Sequence, residues 1–167
     1  MDFEIPEEAR MLTDLVRRFV DDELMPLEAT VLEREASGEH ASLSEAELAP
    51  LYAKCKALGL WGLDVPEHIG GADVGLIAKL CVEEELAKPV TPFLFPPDSP
   101  NLHMMLAVAN EDQKACYLEP YAQGETISAI AISEPNAGGD PAGMMTKAER
   151  KGDEWVINGR KIWISRV

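Results

Sequence analysis

The chain has 167 residues, 30 acidic against 15 basic side chains, a net charge of −15 and 46 % apolar residues. That length suits one compact domain, or one domain and the start of another, with ordinary globular composition. The acidic balance is steepest in the first 50 residues, where 14 acidic side chains face 4 basic ones, and it excludes the basic surface that nucleic acid or anionic lipid requires.

No apolar run approaches the ~20 residues of a bilayer span. The opening Met-Asp-Phe-Glu-Ile-Pro is acidic, unlike the basic-then-apolar order of a secretory leader. A cytoplasmic protein is the expectation. Cys55, Cys81 and Cys116 are scattered, and no Cys-x-x-Cys or His-x-x-x-His pair occurs. Neither a disulfide framework nor a metal site is expected.

The first two-thirds read as helices. Pro6 stands at a helix start, with Glu7 and Glu8 at the positive end of the dipole. Leu12, Leu15, Val16, Phe19 and Val20 then form one apolar stripe. Pro26 is expected to end or bend this helix, and residues 28–41 read as an extension or a loop. Ser44 with Glu47 makes a capping box for a second helix, whose apolar face is Leu48, Leu51, Tyr52, Cys55 and Leu58. Gly59 is placed to stop it. A glycine-containing structured loop follows to Gly75, then a helix over 76–87. Glu83, Glu84 and Glu85 on that helix read as a solvated face. A proline-rich break precedes two shorter helices, over 101–109 and 111–122.

The texture changes after Gly124. Residues 126–133 are short, apolar and partly β-branched, which predicts a strand. Residues 154–157, Asn158-Gly159 and 160–165 predict a hairpin on a type I′ turn, because Asn-Gly suits two residues of positive φ. On a regular second strand Trp163 and Ser165 share a face. The fold class is therefore α+β: an N-terminal helical bundle over 1–125, then the first antiparallel strands of a β-barrel-like domain over 126–167. An open sheet with the chain stopping at Val167 predicts the N-terminal part of a longer protein, or a short chain that completes its sheet with a partner.

No Walker A motif occurs, and Gly138-Gly139 is not the dinucleotide G-x-G-x-x-G. Two segments stand out. In residues 130–140, Ile-Ala-Ile-Ser-Glu-Pro-Asn-Ala-Gly-Gly-Asp, an apolar run ends on Ser133 and enters a glycine loop. Such glycines let backbone approach a ligand. In residues 156–165, Val-Ile-Asn-Gly-Arg-Lys-Ile-Trp-Ile-Ser, an aromatic plane lies near a hydroxyl. Taken singly, the first is equally an ordinary strand–loop connection and the second a core tryptophan on a hairpin.

In this order and spacing, the two segments resemble the acyl-CoA dehydrogenase family. Upstream, Gly59-Leu60-Trp61-Gly62-Leu63-Asp64-Val65-Pro66 with Gly70-Gly71 looks like that family's glycine loop. Glu111-Asp112-Gln113-Lys114 with Tyr117-Leu118 and Gly124-Glu125 looks like its lead into the β domain. The resemblance implies an FAD-dependent oxidoreductase that converts an acyl-CoA to a trans-2-enoyl-CoA and passes electrons to an electron-transfer flavoprotein, with homo-oligomers common. By similarity Ile130, Ile132, Ser133, Gly138, Gly139, Trp163, Ile164 and Ser165 meet the flavin, and Gly139 also meets substrate. Gly139 stands where many members carry serine, so any contact there is through backbone. Glu134 reads as structural.

The family's catalytic base lies in a C-terminal domain, so no carboxylate of this chain is assigned that role and the chain alone is expected to be inactive. Residues around 93–106 would help line an acyl tunnel, although Met104, Met105 and Leu106 read equally as core. Pro97-Asp98 with Asn101-Leu102 is similar to a long-chain, phosphotransferase-fused branch. The competing reading is a short non-catalytic paralogue that serves as a partner-binding or scaffold subunit.

Overall fold

The computed structural model describes residues 4–97 and 101–165. The acidic first residues, Asp98 and Val167, which entered the sequence reading, lie outside the described residues. The chain divides into two compact units, Met1–Glu125 and Thr126–Val167.

The first unit is helical. Helix α1 (Glu7–Phe19) places Val16 and Phe19 in the core, and its stripe continues through a π-helical turn, Val20–Leu24, and a 3-10 turn, Met25–Leu27, into α2 (Glu28–Ala36). Pro26 therefore bends the helix rather than ending it. It sits in the first turn of the 3-10 segment, where its missing N–H breaks no ladder bond. The buried Thr91 hydroxyl donates to the Leu24 carbonyl at 2.8 Å.

Helix α3 (Glu45–Leu58) begins at Ser44, whose N–H and hydroxyl both donate to Glu47 Oε2, at 2.8 and 2.6 Å. Arg34 of α2 binds the same carboxylate through both of its terminal nitrogens, at 2.8 and 3.0 Å. Gly59 ends the helix at φ 71°, the left-handed conformation in which glycine carries no Cβ penalty. Of the predicted face, Leu51 and Cys55 are buried and Leu58 is exposed.

The loop after Gly59 closes on itself. Ala72 N–H donates to Gly62 O at 2.9 Å, Val74 N–H to Leu63 O at 2.9 Å and Asp73 N–H to Val65 O at 3.0 Å. A Cβ on Gly71 would lie 1.8 Å from Val65 O, so this strap can close only over glycine.

Helix α4 (Leu76–Leu86) packs on α1. Here Glu85 departs from the solvated face expected of the glutamate run, being only 4 % exposed. The helix turns it toward α1, where Arg17 donates to its Oε1 at 2.9 Å and Lys88 pairs with Oε2. Burial opposes its ionisation, yet hydrogen bonds from Arg17 and Lys88 outweigh burial and keep the carboxyl below its ordinary value.

Phe93 and Phe95 fold back from the proline-rich segment onto Phe19, with ring centroids 5.6 and 5.4 Å away. Tyr52 meets Trp61 edge to face at 5.8 Å. Leu24 and Leu60 are sealed within this cluster, and burying each such side chain contributes about 1.5–3 kcal/mol.

A second cluster gathers Val65, Leu102, Leu118, Tyr121 and Ala122. It is built by α5 (Leu102–Val108), α6 (Glu111–Gln113), a π-helical turn (Lys114–Leu118) and α7 (Glu119–Gln123). Met105 and Leu106 pack against it, while Met104 is exposed. No helix among the described residues is long and apolar enough to cross a membrane.

The second unit holds a two-stranded antiparallel sheet, β1 (Lys147–Lys151) with β2 (Glu154–Asn158). Lys151 pairs with Glu154 and Lys147 with Asn158. The hairpin differs from the one predicted. Its turn is Gly152-Asp153, with Gly152 at φ 66°, the first central position where a type II′ turn takes glycine.

Neither Asn158 nor Gly159 adopts positive φ. Gly159 instead passes under Thr146, whose Oγ1 would meet a Cβ there at 2.1 Å. The Asn-Gly pair therefore serves a close approach and not a turn. Residues 126–133 are not a strand, because none among the described residues pairs with them along a ladder. Residues 160–165 are likewise not a strand. Trp163 adopts φ 56°, which breaks the alternation that would put Trp163 and Ser165 on one face.

Candidate functional site

The two sequence segments meet in the second unit. Ile162 N–H donates to Ser133 O at 3.0 Å, joining the end of the first apolar run to the residue before Trp163. Glu134 and Ala137 exchange backbone hydrogen bonds at 2.9 and 3.1 Å, making a tight turn of Glu-Pro-Asn-Ala. Asp140 Oδ1 then accepts from Ala142 N–H at 3.0 Å and starts the short 3-10 turn Pro141–Gly143. Gly138 and Gly139 are exposed, and a Cβ on either would meet nothing within 4 Å.

Beneath this surface lies Glu134, 5 % exposed. Its Oε2 accepts from Met145 N–H at 2.6 Å, and its Oε1 accepts from Thr146 N–H at 3.0 Å and from Lys161 Nζ at 2.9 Å. Lys161 also donates to Ile132 O at 3.0 Å and reaches Met144 Sδ at 3.4 Å. With Thr146 against it, the Met145 amide beside it and the Lys161 ammonium bonded to it, the Glu134 carboxyl lies at about 2. Because Thr146 Oγ1 makes no aligned hydrogen bond, the amides and the ammonium are the donors that the geometry supports.

Several apolar and aromatic side chains of the two segments are exposed. Ile130 and Ile132 are exposed, Ser133 and Ile164 half-buried, and Ser165 exposed. Trp163 is 86 % exposed. A large flat side chain displayed next to Ile162, which is bonded to the Ser133 backbone, suits a flat ring with a polar edge. Open space over Gly138 and Gly139 lets such a ligand approach backbone. The residues present therefore fit an isoalloxazine.

The resemblance marks the displayed residues, whereas Lys161, Met145 and Thr146, which bond the Glu134 carboxylate, carry no role in it. The available signal is the acid that directly follows the first apolar run, Glu134, and the base that directly precedes Ile162-Trp163, Lys161.

Residues 6–125 match the acyl-CoA dehydrogenase N-terminal domain and residues 129–167 its middle domain. The chain is 41 % identical to (R)-benzylsuccinyl-CoA dehydrogenase of Thauera aromatica, over 99 % of this chain and 43 % of that protein. A solved structure of a Mycobacterium abscessus protein assigned as an acyl-CoA dehydrogenase superposes with a TM-score of 0.83 and 32 % identity, over 97 % of this chain and 43 % of that one. A glutaryl-CoA dehydrogenase of Mycobacterium smegmatis, solved in complex with FADH2, gives 0.70 and 26 %, over 96 % and 39 %. The chain thus spans about two-fifths of the length of these relatives.

Proposed function

The chain belongs to the acyl-CoA dehydrogenase family, and from that premise we propose that it supplies the N-terminal α domain (1–125) and part of the middle β domain (126–167) of an FAD-dependent enzyme that oxidises an acyl-CoA between Cα and Cβ. The chemistry that FAD would supply there is acceptance of the hydride lost from Cβ. Ile130, Ile132, Ser133, Gly138, Gly139, Trp163, Ile164 and Ser165 would hold its ring, and Gly139 would meet the thioester chain through backbone. An electron-transfer flavoprotein takes the electrons onward, the cytoplasm is the place of action, and the whole protein is a homo-oligomer.

No carboxylate in this chain is assigned as the base that takes the Cα proton. Glu134, the buried carboxylate of residues 130–140, is committed to Lys161 and two amides. The relatives named above differ in the acid joined to CoA, benzylsuccinyl in one and glutaryl in another, so the substrate class proposed is the CoA thioester.

The observation that supports this reading most directly is the Ile162-to-Ser133 bond beside the displayed Trp163. The test is flavin retention by the protein that carries this chain, incubated with FAD, desalted and read by visible absorption. Bound flavin is expected, and Trp163→Ala should weaken its affinity on the order of ten-fold, from a stacking contact of about 1–3 kcal/mol. A protein that stays colourless, or a Trp163→Ala variant with unchanged affinity and spectrum, removes the assignment.

A further inference from the structure

We propose that Lys161, clasped by Glu134, is a positioning residue that sets the Trp163 indole for the flavin, an inference that rests on the flavin reading above.

Lys161 and Ile162 immediately precede Trp163, and both are tied to the other segment. Lys161 Nζ donates to Ile132 O and Glu134 Oε1, at 3.0 and 2.9 Å, and Ile162 N–H donates to Ser133 O at 3.0 Å. Three consecutive residues, 132–134, thus receive bonds from two consecutive residues, 161 and 162. Glu134 is fixed in turn by the amides of Met145 and Thr146, just before β1. The side chains of Lys161 and Glu134 retain only 24 % and 4 % of their exposure, so water competes weakly for the pair.

Trp163 itself has no such bond among the described residues. It is 86 % exposed and on left-handed backbone at φ 56°, a conformation that bulky residues keep only when their surroundings impose it. The clasp is the nearest source of that imposition. It acts on the residues before the indole and leaves the indole face open.

The test uses the protein that carries this chain, with Lys161→Met, the conservative Lys161→Arg, Trp163→Ala, and the double variant Lys161→Met/Trp163→Ala. Hydrogen exchange without flavin reads the clasp. Exchange at Ile162 N–H should rise in Lys161→Met, while amides of the Lys147–Asn158 hairpin change little and Lys161→Arg stays near wild type. FAD affinity reads the positioning role. Lys161→Met should weaken it about ten-fold, the scale seen when an outer partner of a bound group is removed. The double variant should lose little beyond Trp163→Ala alone, because both changes act through one contact.

Unchanged exchange at Ile162 in Lys161→Met overturns the clasp whatever the flavin does. Raised exchange with unchanged affinity, or losses that simply multiply in the double variant, overturns the positioning role while the flavin reading stands. A Trp163→Ala variant that holds FAD as wild type does removes the flavin reading, and the positioning role with it.

Discussion

Glu134 keeps its charge through contacts that exist only in the folded chain. Its carboxyl is lowered from 4.5 to about 2 by the groups around it. A carboxyl lowered on folding contributes stability at pH values above its unfolded value and loses it as the pH falls toward its folded value. The acid limb of the thermal stability curve, between about pH 4.5 and 2, should therefore be flatter in Glu134→Gln than in wild type, with the variant less stable at neutral pH. Melting temperatures measured across that range check this, and parallel curves would refute it. Glu47, also lowered to about 2 by hydrogen bonds from Arg34 and then Ser44, contributes the same trend to both proteins. The difference between the curves therefore isolates Glu134.

Among the elements, two glycines divide the reasons for using glycine. Gly59 ends α3 at φ 71° with open space where a Cβ would go, whereas Gly71 has ordinary φ and a Cβ there would lie 1.8 Å from Val65 O. Gly59→Ala should cost about 1–2 kcal/mol, the penalty of left-handed backbone. Gly71→Ala should cost about 3 kcal/mol or more, because backbone has to move. Urea unfolding of both variants compares them, and equal losses would mean that the loop opens freely.

The helices were legible because their signals are local: the Leu12-to-Val20 stripe, the Ser44–Glu47 box and Gly59 each act within a few residues. Elements that depend on distant chain were not. Residues 126–133 have strand composition but join no ladder among the described residues, and Asn158-Gly159 has turn chemistry but is spent on a close approach to Thr146. Glu85 shared its run with two exposed glutamates, and only the packing of α4 on α1 separates it from them. In the candidate site the displayed residues were recognisable by resemblance. The Lys161 clasp, which joins residues 29 and 27 positions apart, was not.

At the scale of the whole molecule, burial is uneven. Two apolar clusters lie within Met1–Glu125. In Thr126–Val167 the described residues that are buried are Glu134 and Ala137. A unit with so little apolar burial opens at low free energy. Amides of β1 and β2 should exchange faster than those of α1 and α3, as read by hydrogen exchange and mass spectrometry of peptides. Equal protection would show that the second unit draws stability from something other than its own core.

Trp61 carries a consequence for how the helical unit can be separated from the rest. Its indole N–H donates to Ala122 O at 2.9 Å, and its ring lies so close to Gly124 that a Cβ there would come within 2.2 Å. The Lys56 ammonium covers the ring at 4.3 Å from its centroid and reaches Gln123 O at 3.4 Å. A gene fragment ending at residue 118 would keep every residue of the larger cluster yet leave this indole facing solvent with no acceptor. The cut that respects the tryptophan falls after Glu125, which makes the side chain at position 61 a ruler for the end of a unit sixty-four residues downstream.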